Sequence, residues 1–486
     1  MKKILFTHSY FYRFDPKQWD NQQPYPPLGT IYAASVMREA GYNVSLFDTA
    51  LIESPEKLIP VLKKEKPDYL VIYDDGFNYL TKMCLTNMRE AAFRMAEIAK
   101  KNGLIVIASS SDAADHYEKY LAHEVDFVII GEGEITLKEL INKIENGEND
   151  FKKIDGLAFK ENAEVIKTSP RQIAKELDSF PMPAWDLIDI FSYKKIWLEN
   201  HGYFSLNIAT TRGCPFKCNW CAKPIYGNRY NSRSPQKVAE EIEFLMKNFD
   251  VKHFWMSDDI FGLKPGWVQE FRDVVKVKQL KFKYKIQSRV DLLLQEDTIS
   301  ALAESGAETV WVGAESGSQK ILDAMDKGTT VEQIHEAAKL LKQNGIRLAF
   351  FLQFGYLGEE KEDIQKTIDM VLDLMPDEIG VSVSYPLPGT KFYDKVREQL
   401  KEKTNWTDSD ELALMYKGTF SPSYYKKLHR YVHKVFRRKQ SLNNIKTLLF
   451  NPLRINKKRL RSAVALFYYS PMALLDAFQL RRLEKN

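Results

Sequence analysis

Cysteine is scarce in this sequence: its 486 residues contain four. Three of them, Cys214, Cys218 and Cys221, lie close together, and Cys84 stands alone as an expected packed thiol. Secreted domains held by disulfides carry more cysteines at dispersed positions. The cysteine content therefore excludes a disulfide framework and predicts a protein of a reducing compartment.

Long apolar runs are also lacking. No uninterrupted stretch approaches the ~18 apolar residues that a membrane-spanning helix needs. The start, Met1-Lys2-Lys3-Ile4-Leu5-Phe6, leads directly into a predicted strand and shows neither a long apolar signal core nor a small-residue cleavage site. The eight histidines form no metal-ligand pattern, and no glycine-rich phosphate loop occurs. These absences predict a cytoplasmic protein.

Residues 1–149 alternate apolar runs of strand length with amphipathic helical stretches. Five strands with four intervening helices predict a flavodoxin-like, doubly wound parallel sheet in an α/β protein. Ligands of such sheets sit at the carboxyl ends of the strands. The loops there are long and aromatic (9–27), serine-rich (109–112) or glycine-containing (131–134). The predicted strands are 3–8, 43–48, 69–73, 104–108 and 127–130, and the predicted helices between them are 29–40, 55–64, 79–101 and 113–121.

Residues 150–202 are predicted to be a linker with a small hairpin and a proline-broken segment, Phe180–Trp185. A second βα alternation follows in residues 203–400. Six βα units predict a partial (β/α)6 barrel with its active site at the strand carboxyl ends. Residues 401–486 are predicted to be helical and basic. The predicted barrel strands are 206–211, 253–256, 283–287, 309–312, 348–354 and 379–384.

The clustered cysteines are spaced C-x₃-C-x₂-C, directly after the strand-like run Ser205–Gly213. Three thiolates on one loop can hold three corners of a cubane iron–sulfur cluster and leave the fourth iron open, whereas electron-carrier clusters use four cysteines. The alternative is a zinc site, which requires a fourth Cys or His. No Cys or His follows Cys221 until His253. The pattern favours the cluster.

This spacing resembles that of the radical S-adenosylmethionine (SAM) enzymes. In that family the open iron binds SAM, and an electron from the cluster cleaves SAM to a 5′-deoxyadenosyl radical that abstracts a hydrogen atom. The resemblance implies that Trp220 packs near the adenine, with ordinary loop packing as the alternative, and that polar residues at the barrel strand ends contact SAM. The implied SAM contacts are Trp220, Ser257, Asp258, Asp259, Gln287, Arg289, Glu315 and Ser316.

Several of these polar residues have structural alternatives. Asp258 or Asp259 can cap a helix. Arg289 can form a surface ion pair with Asp291, and Glu315, between glycines, can belong to a simple turn.

The run Gly313–Thr330, together with Gln287–Asp291 and Met415–Phe420, resembles one branch of that superfamily. The branch includes the anaerobic magnesium-protoporphyrin ester cyclase and many cobalamin-dependent radical SAM methyltransferases, in which a cobalamin-binding domain precedes the radical domain. Pro26–Thr30 and Asp126–Glu134 look like that domain. The resemblance extends to about residue 439. Its implied cobalamin contacts are Pro27, Leu28, Gly29, Ser109, Ser110, Gly131, Glu132 and Gly133.

Many cobalamin domains carry a D-x-H-x-x-G motif whose histidine replaces the lower ligand of cobalt. This sequence lacks the motif, since neither His8 nor His116 fits it. In the resembling branch, cobalamin commonly binds with neither histidine nor its own base on cobalt. The lower face would then be formed by loop residues near 10–12, 74–78 or 109–112.

The resemblance implies an enzyme that uses a 4Fe-4S cluster, SAM and cobalamin to methylate an unactivated carbon of a small-molecule or lipid substrate. A radical oxidative cyclase, or another rearrangement of a tetrapyrrole or lipid-like substrate, is the alternative. A corrinoid-binding sensor with a structural cluster is the non-enzymatic alternative. The enzymatic chemistry implies a reductant such as flavodoxin or ferredoxin.

Acidic residues are nearly absent from the end of the chain. From Lys426 to Asn486 there are 16 Lys and Arg against 2 Asp and Glu, a net charge of +14, while the preceding 425 residues carry 54 against 63, or −9. With its aromatic residues and the apolar stretch Ala463–Tyr469, this tail predicts peripheral contact with the inner face of the membrane. A helical cap on the barrel is the alternative, and nucleic-acid binding is the less favoured rival.

Overall fold

A computed structural model of the chain describes residues 2–223, 225–400, 405–450 and 457–484. Two mainly parallel sheets and a C-terminal group of helices follow one another along the sequence. The helices are α1 Pro16–Asn21, α2 Leu28–Glu39, α3 Leu58–Glu65, α4 Thr86–Lys101, α5 Ser111–Asp115, α6 Tyr117–Ala122, α7 Glu134–Glu145, α8 Ile190–His201, α9 Pro235–Phe249, α10 Trp267–Val277, α11 Val290–Leu293, α12 Thr298–Ser305, α13 Gln319–Ala324, α14 Val331–Gln343, α15 Lys361–Leu374, α16 Lys391–Val396, α17 Pro422–Phe450, α18 Lys457–Val464 and α19 Leu466–Leu483.

The first sheet has seven strands in the order β2-β1-β3-β4-β5-β6-β7. The first five strands are parallel, and their order is that of a flavodoxin-like sheet, which confirms the predicted fold class. The strands are β1 Lys3–Thr7, β2 Asn43–Phe47, β3 Tyr69–Tyr73, β4 Ile105–Ser109, β5 Phe127–Ile129, β6 Leu157–Glu161 and β7 Glu164–Lys167.

Helices cover both faces of this sheet. Ile4 and Phe6 pack with residues of α2 and α7, whereas Leu5, between them, packs with residues of α3 and α4. Because both faces are covered, all five residues of β3 are buried. This is why the strands read as continuous apolar runs in the sequence.

The hairpin predicted in the linker is β6–β7. It continues the first sheet in antiparallel fashion, with β6 pairing to β5. The domain boundaries themselves stay predictions.

The second sheet is an open, six-stranded parallel barrel in the order β15-β14-β13-β12-β11-β8. Its carboxyl ends form one mouth, and a two-stranded ribbon of β9 and β10 follows the first barrel strand. The strands are β8 Ser205–Ile208, β9 Thr211–Arg212, β10 Asn231–Ser232, β11 His253–Met256, β12 Lys283–Ser288, β13 Ala307–Glu315, β14 Arg347–Phe354 and β15 Glu378–Val383.

The predicted helix over 79–101 was wrong at its start. The structure has a short 3₁₀ turn at Thr81–Met83, and Cys84 adopts a left-handed conformation with φ 55°. Cys84 is buried, as expected for a packed thiol. Helix α4 begins at Thr86, whose N–H is bound by the Trp406 carbonyl at 2.9 Å.

The C-terminal helices both cap the barrel and expose apolar surface. The first half of α17 buries Tyr425, Leu428 and Val432, and α19 packs on α17 through Asp476, which pairs with Lys434 at 2.6 Å. Residues 405–421 are not helical, contrary to the prediction, and 401–404 lie outside the described residues. Within the described ranges, no helix is both long and apolar enough to cross a membrane.

Candidate active site

The three clustered cysteines lie on a loop closed by the β9–β10 ribbon, so the loop leaves and re-enters the barrel wall at one place. Gly213 turns the chain into the loop with φ 80°. A Cβ at this position would collide with the Arg229 carbonyl oxygen. Only glycine therefore fits directly before Cys214.

Asn219, between the second and third cysteines, ties the loop to the barrel. Its backbone N–H donates to the Met325 carbonyl at 3.0 Å, and its side-chain amide donates to the Ala324 carbonyl at 2.7 Å. Its side-chain oxygen accepts from the Tyr356 hydroxyl at 2.6 Å. Sequence reasoning missed Asn219, and its place inside the cysteine motif was the one available signal.

Two cations border the thiols. Arg289 Nη1 lies 3.8 Å from Cys218 Sγ, and the guanidinium carbon lies 3.7 Å from the centre of the Phe216 ring. Burial raises the pKa of Cys221 to about 12, and Lys223 acts in the opposite direction. Buried thiolates need such neighbouring positive charge because burial favours the neutral thiol. The donor set therefore fits a thiolate-bound iron–sulfur cluster.

In the part of the chain that the structure describes, no three His, Cys, Asp or Glu side chains converge on a single-ion site. A tetrahedral zinc ion holds its ligands at roughly 2.0–2.3 Å from one point. A cubane cluster instead distributes its cysteines over separate irons. The three loop cysteines are free, half-buried thiols, as such a cluster requires.

Two of the predicted SAM contacts have partners within the protein. Asp258 accepts hydrogen bonds from the backbone N–H groups of Thr210 (2.7 Å) and Thr211 (2.8 Å), and burial raises its pKa to about 6. Ser257 donates to the Ile208 carbonyl at 3.2 Å. Both residues therefore fasten the turn that leads from β8 to the cysteine loop. The helix-cap alternative is wrong, since Gly266 precedes α10.

Asp259, Arg289 and Gln287 occupy different parts of the mouth. Asp259 pairs with Lys82 of the first domain at 2.5 Å. Arg289 forms two contacts with Asp291, at 2.9 and 3.1 Å, but it is buried and also reaches the cysteine loop, so this is not a simple surface pair. Gln287 is partly exposed.

Glu315 and Lys327 form a buried ion pair at the end of β13. The Glu315 carboxylate lies 2.7 Å from Lys327 Nζ, and Glu315 adopts φ 59°. The same Nζ lies 5.8 Å from the Trp220 ring centre. Ser316 Oγ is 3.0 Å from Thr367 Oγ1. Sequence reasoning did not identify Lys327, which connects the strand end to the cysteine loop.

At the carboxyl edge of the first sheet, Asp75 binds the start of α2. Its carboxylate accepts from the N–H groups of Leu28 (3.3 Å), Gly29 (3.0 Å) and Phe77 (2.9 Å). A Cβ at Gly29 would lie 3.1 Å from Asp75 Cα. The predicted contacts Pro27, Leu28 and Gly29 therefore lie against the loop that follows β3.

Ser109 and Ser110 lie at the end of β4. Ser110 Oγ accepts from the Ala113 N–H at 2.8 Å and caps α5. A Cβ at Gly133 would lie 2.9 Å from Ser109 Oγ and 2.8 Å from the Tyr73 hydroxyl. The close packing of the neighbouring strand ends is therefore enough to require glycine at 133, whether or not a ligand binds there.

A buried ion-pair triad joins the two domains. Arg212, which precedes Gly213, pairs with Glu132 and, at 2.8 Å, with Glu134. The three side chains are 4%, 2% and 1% exposed. Although burial opposes it, the two carboxylates hold the pKa of Arg212 well above its ordinary value. The rings around the guanidinium, at 4.5–5.7 Å, are those of Tyr32, Phe77, Phe180 and Tyr226.

Ile225 and Tyr226, which follow the cysteines, cover the carboxyl edge of the first sheet. A Cβ at Gly76 would lie 3.3 Å from the Tyr226 hydroxyl, and one at Gly131 would lie 3.6 Å from the Ile225 carbonyl. The cavity left at this edge has a volume of about 10 Å³. A corrinoid is far larger, so it can reach this edge only if Ile225 and Tyr226 move.

Comparison with known proteins agrees with this arrangement. The model of the radical SAM superfamily matches residues 208–371, which include the cysteine loop and most of the barrel. An uncharacterised methyltransferase of Pyrococcus horikoshii is 29% identical over 388 residues, 78% of this chain and 81% of the relative. An anaerobic magnesium-protoporphyrin IX monomethyl ester cyclase of Synechocystis is 25% identical over 78% of this chain and 75% of its own length.

Two solved structures share the fold at 17% identity. The cobalamin-dependent SAM radical enzyme OxsB, with aqua-cobalamin bound, aligns with a TM-score of 0.73 over 99% of this chain and 76% of its own. The methyltransferase TsrM of Kitasatospora setae, with cobalamin and a [4Fe-4S] cluster bound, aligns with a TM-score of 0.67 over 82% and 75%. The chain thus carries a radical SAM domain. Over almost its whole length it has the fold of OxsB, and over 82% of its length that of TsrM.

Proposed function

We propose that this protein is an enzyme that binds a 4Fe-4S cluster, SAM and a corrinoid and methylates an unactivated carbon of an organic substrate. One observation carries the proposal. The cysteine loop begins directly after Arg212, which is ion-paired to Glu132 and Glu134 at the carboxyl edge of the first sheet. The radical-forming site and the proposed corrinoid site would therefore share a border.

When bound, the cluster supplies the electron that cleaves SAM, and the corrinoid supplies the methyl group. The chain's own residues position these groups. Cys214, Cys218 and Cys221 would hold the cluster, with Arg289 placing positive charge beside one thiolate. The Trp220 indole N–H is buried and has no partner among the described residues, so it can donate to SAM at the barrel mouth.

A second candidate function is oxidative ring closure, because the Synechocystis relative is named as a cyclase. The two functions differ in the product. Methylation adds a carbon derived from SAM, whereas oxidative closure adds none. Incubation of extracts with SAM labelled at its methyl carbon distinguishes them, since only methylation transfers the label.

We infer that a one-electron donor such as flavodoxin or ferredoxin serves the enzyme. Each reductive cleavage of SAM consumes one electron, and the chain carries no second cysteine cluster to deliver it. The donor would have to approach the cysteine loop.

We expect the full-length protein, reconstituted anaerobically with hydroxocobalamin, to retain a corrinoid with no histidine on cobalt. His8 lies near the strand ends, but its Nε2 has a partner in either tautomer: it donates to Asp48 Oδ1 at 2.9 Å when protonated and accepts from the Thr49 N–H at 3.1 Å when not. Electron paramagnetic resonance of the one-electron-reduced corrinoid measures the ligation. Nitrogen superhyperfine splitting from a protein histidine would contradict the expectation, as would a protein that retains no corrinoid. His8→Asn is the control and should leave the spectrum unchanged.

We also propose that the C-terminal helices bind anionic membrane surfaces reversibly. On α19 the side chains of Phe467, Leu474 and Phe478 are 83%, 66% and 60% exposed. Their spacing of seven and four residues places them on one face of the helix. The sequence around them carries a net charge of +14 from Lys426 onward. An exposed apolar stripe on a basic helical region fits an interface with anionic lipid.

Replacing Phe467, Leu474 and Phe478 with serine should abolish co-sedimentation with phosphatidylglycerol-containing vesicles. Each buried apolar side chain contributes about 1.5–3 kcal/mol, and each Lys or Arg near the surface contributes about 1 kcal/mol that salt screens. The matched control is Phe191→Ser with Val277→Ser, which removes two equally exposed apolar side chains elsewhere. Equal recovery of all three proteins in the supernatant, or binding to duplex DNA in place of vesicles, would contradict the proposal.

Point variants serve better than truncation at Lys426. Tyr424, Tyr425 and Leu428 are buried at the start of α17. Removing the helix from that point would delete Leu428 and would expose Tyr424, Tyr425 and the barrel surface beneath the helix. A truncated protein could then sediment because it aggregates.

A further inference from the structure

The inner face of the barrel is partly open on one side. Along β12, Lys285 and Gln287 are partly exposed, whereas Tyr284 and Ile286, which alternate with them, are buried. Tyr284 faces the helices, with its ring 6.1 Å from that of Phe271 in α10. Because strand side chains alternate between faces, Lys285 and Gln287 lie on the opposite, inner face.

The same alternation marks the neighbouring strands. Upward from the strand starts, the partly exposed positions are 311 and 313 in β13, 351 in β14, and 380 and 382 in β15, and each is bordered by buried residues. These positions therefore line a shared interior space rather than the outer surface. Its wall on this side includes Trp311, Gly313, Phe351, Gly380 and Ser382.

Lys285 is a cation without an acidic partner in this interior. No Asp or Glu of the described ranges lies within 4.0 Å of its ammonium group. Two acids at the amino ends of β13 and β15 have other partners: Glu308 lies 3.6 Å from His253, and Glu378 pairs with Arg347 at 2.7 Å. Burial lowers the pKa of Lys285.

Aromatic rings are what Lys285 contacts instead. Its Nζ lies 5.1 Å from the ring centre of Tyr25 and 5.2 Å from that of Trp255. Cation–π contacts offset only part of the cost of desolvating an ammonium group. Tyr25 comes from the first domain, and its hydroxyl lies 3.2 Å from Ser205 Oγ on β8. The Lys285 ammonium is therefore held in place, but its charge is not neutralised.

A flat apolar surface lies on the next strands. The rings of Trp311 and Phe351 stack with centroids 4.6 Å apart and planes 25° apart. A Cβ at Gly380 would lie 3.2 Å from Phe351 and 3.3 Å from Trp311. Glycine at 380 thus gives this aromatic pair the room to lie flat against the strand.

We propose that Lys285 binds an anionic group of the substrate, a carboxylate or a phosphate, while an apolar part of the same molecule rests on Trp311 and Phe351. That the bound molecule is a substrate rests on the proposed function. The substrate class is then an anionic, amphipathic small molecule. A neutral molecule of the same shape would leave the Lys285 charge uncompensated and would bind more weakly.

The test measures binding of three probes to the full-length, cluster-reconstituted protein by isothermal titration calorimetry. The probes are 1-naphthoate, 1-naphthyl phosphate and the neutral 1-naphthamide. We expect at least tenfold tighter binding of one or both anions than of the amide, and the tighter anion distinguishes carboxylate from phosphate. Lys285→Met should remove this preference without weakening amide binding, and Lys285→Arg should restore it. Lys281→Met, an exposed lysine just before β12, is the matched control.

Each outcome of this test decides the inference. A wild-type protein without anion preference, or a preference that persists in Lys285→Met, would overturn it. If Lys285→Met also fails to bind 1-naphthamide, Lys285→Gln is used as the charge-removing variant instead. An anion preference that is unchanged in Lys285→Gln overturns the inference too. Formation of 5′-deoxyadenosine by the wild-type protein is measured separately. Its absence would overturn the proposed function, whereas the anion preference would still identify the binding site.

Discussion

Replacing Cys214, Cys218 or Cys221 with alanine is expected to abolish both the broad visible absorption of the anaerobically reconstituted protein and all formation of 5′-deoxyadenosine. The three thiols share one loop whose turn, at Gly213, admits no other residue. A cluster held by three protein thiolates has no fourth cysteine to replace a lost ligand. The loss of one thiolate therefore removes the cluster or leaves the cluster unable to bind SAM productively. Absorption spectroscopy and chromatographic assay of 5′-deoxyadenosine measure the two effects.

The matched control for this prediction is Cys84→Ala. Cys84 is buried in the first domain with its Sγ 4.0 Å from Asp115 Oδ2, and it takes no part in the cysteine loop. The control should keep full absorption and full SAM cleavage. Normal SAM cleavage by any of the three loop variants would contradict the cluster assignment, and so would stoichiometric zinc in the anaerobically purified wild-type protein.

Arg212→Met should destabilise the protein by about 3–5 kcal/mol, because it leaves the buried carboxylates of Glu132 and Glu134 without their cation. The first unfolding transition in urea measures the loss. Arg212 also lies two residues before Cys214, so the variant should retain less iron after reconstitution. Iron content per chain measures this second effect.

The control for Arg212 is Arg38→Met. Arg38 also forms an ion pair, with Asp186 at 2.8 Å, but the two side chains are 42% and 65% exposed. Exposed pairs contribute about 0–1 kcal/mol. If Arg212→Met proves no less stable than Arg38→Met, the buried triad does not hold the two domains together.

Periodicity in the sequence was enough to predict both sheets. The strands of the first sheet, buried on both faces, appear as uninterrupted apolar runs, whereas barrel strands such as β12 and β15 alternate buried and partly exposed residues. Periodicity was not enough at residues 79–85. Apolar spacing there looked helical, but Cys84 takes φ 55°, and the helix starts at Thr86 beside Trp406. The Trp406 carbonyl that binds Thr86 comes from the far end of the chain, and no local pattern contains that information.

The candidate site, like the fold, was predictable from the sequence only in part. The cysteine spacing is local and was readable. The contacts that position the loop join residues distant in sequence: Asn219 with Tyr356, Arg212 with Glu132, and Lys327 with the Trp220 ring. Parallel strands bring their carboxyl ends to one mouth, which places these residues together, but only the folded backbone sets which side chains meet.

Ile225 and Tyr226 belong to the loop that carries the cysteines, yet they cover the edge of the other sheet. A large molecule entering at that edge must displace them and so must move the segment that follows Cys221. Binding at either place then changes the affinity at the other by the same factor. We therefore expect the loading of the two cofactors to be coupled, so that the amount of corrinoid present changes how much iron the protein retains, and the reverse.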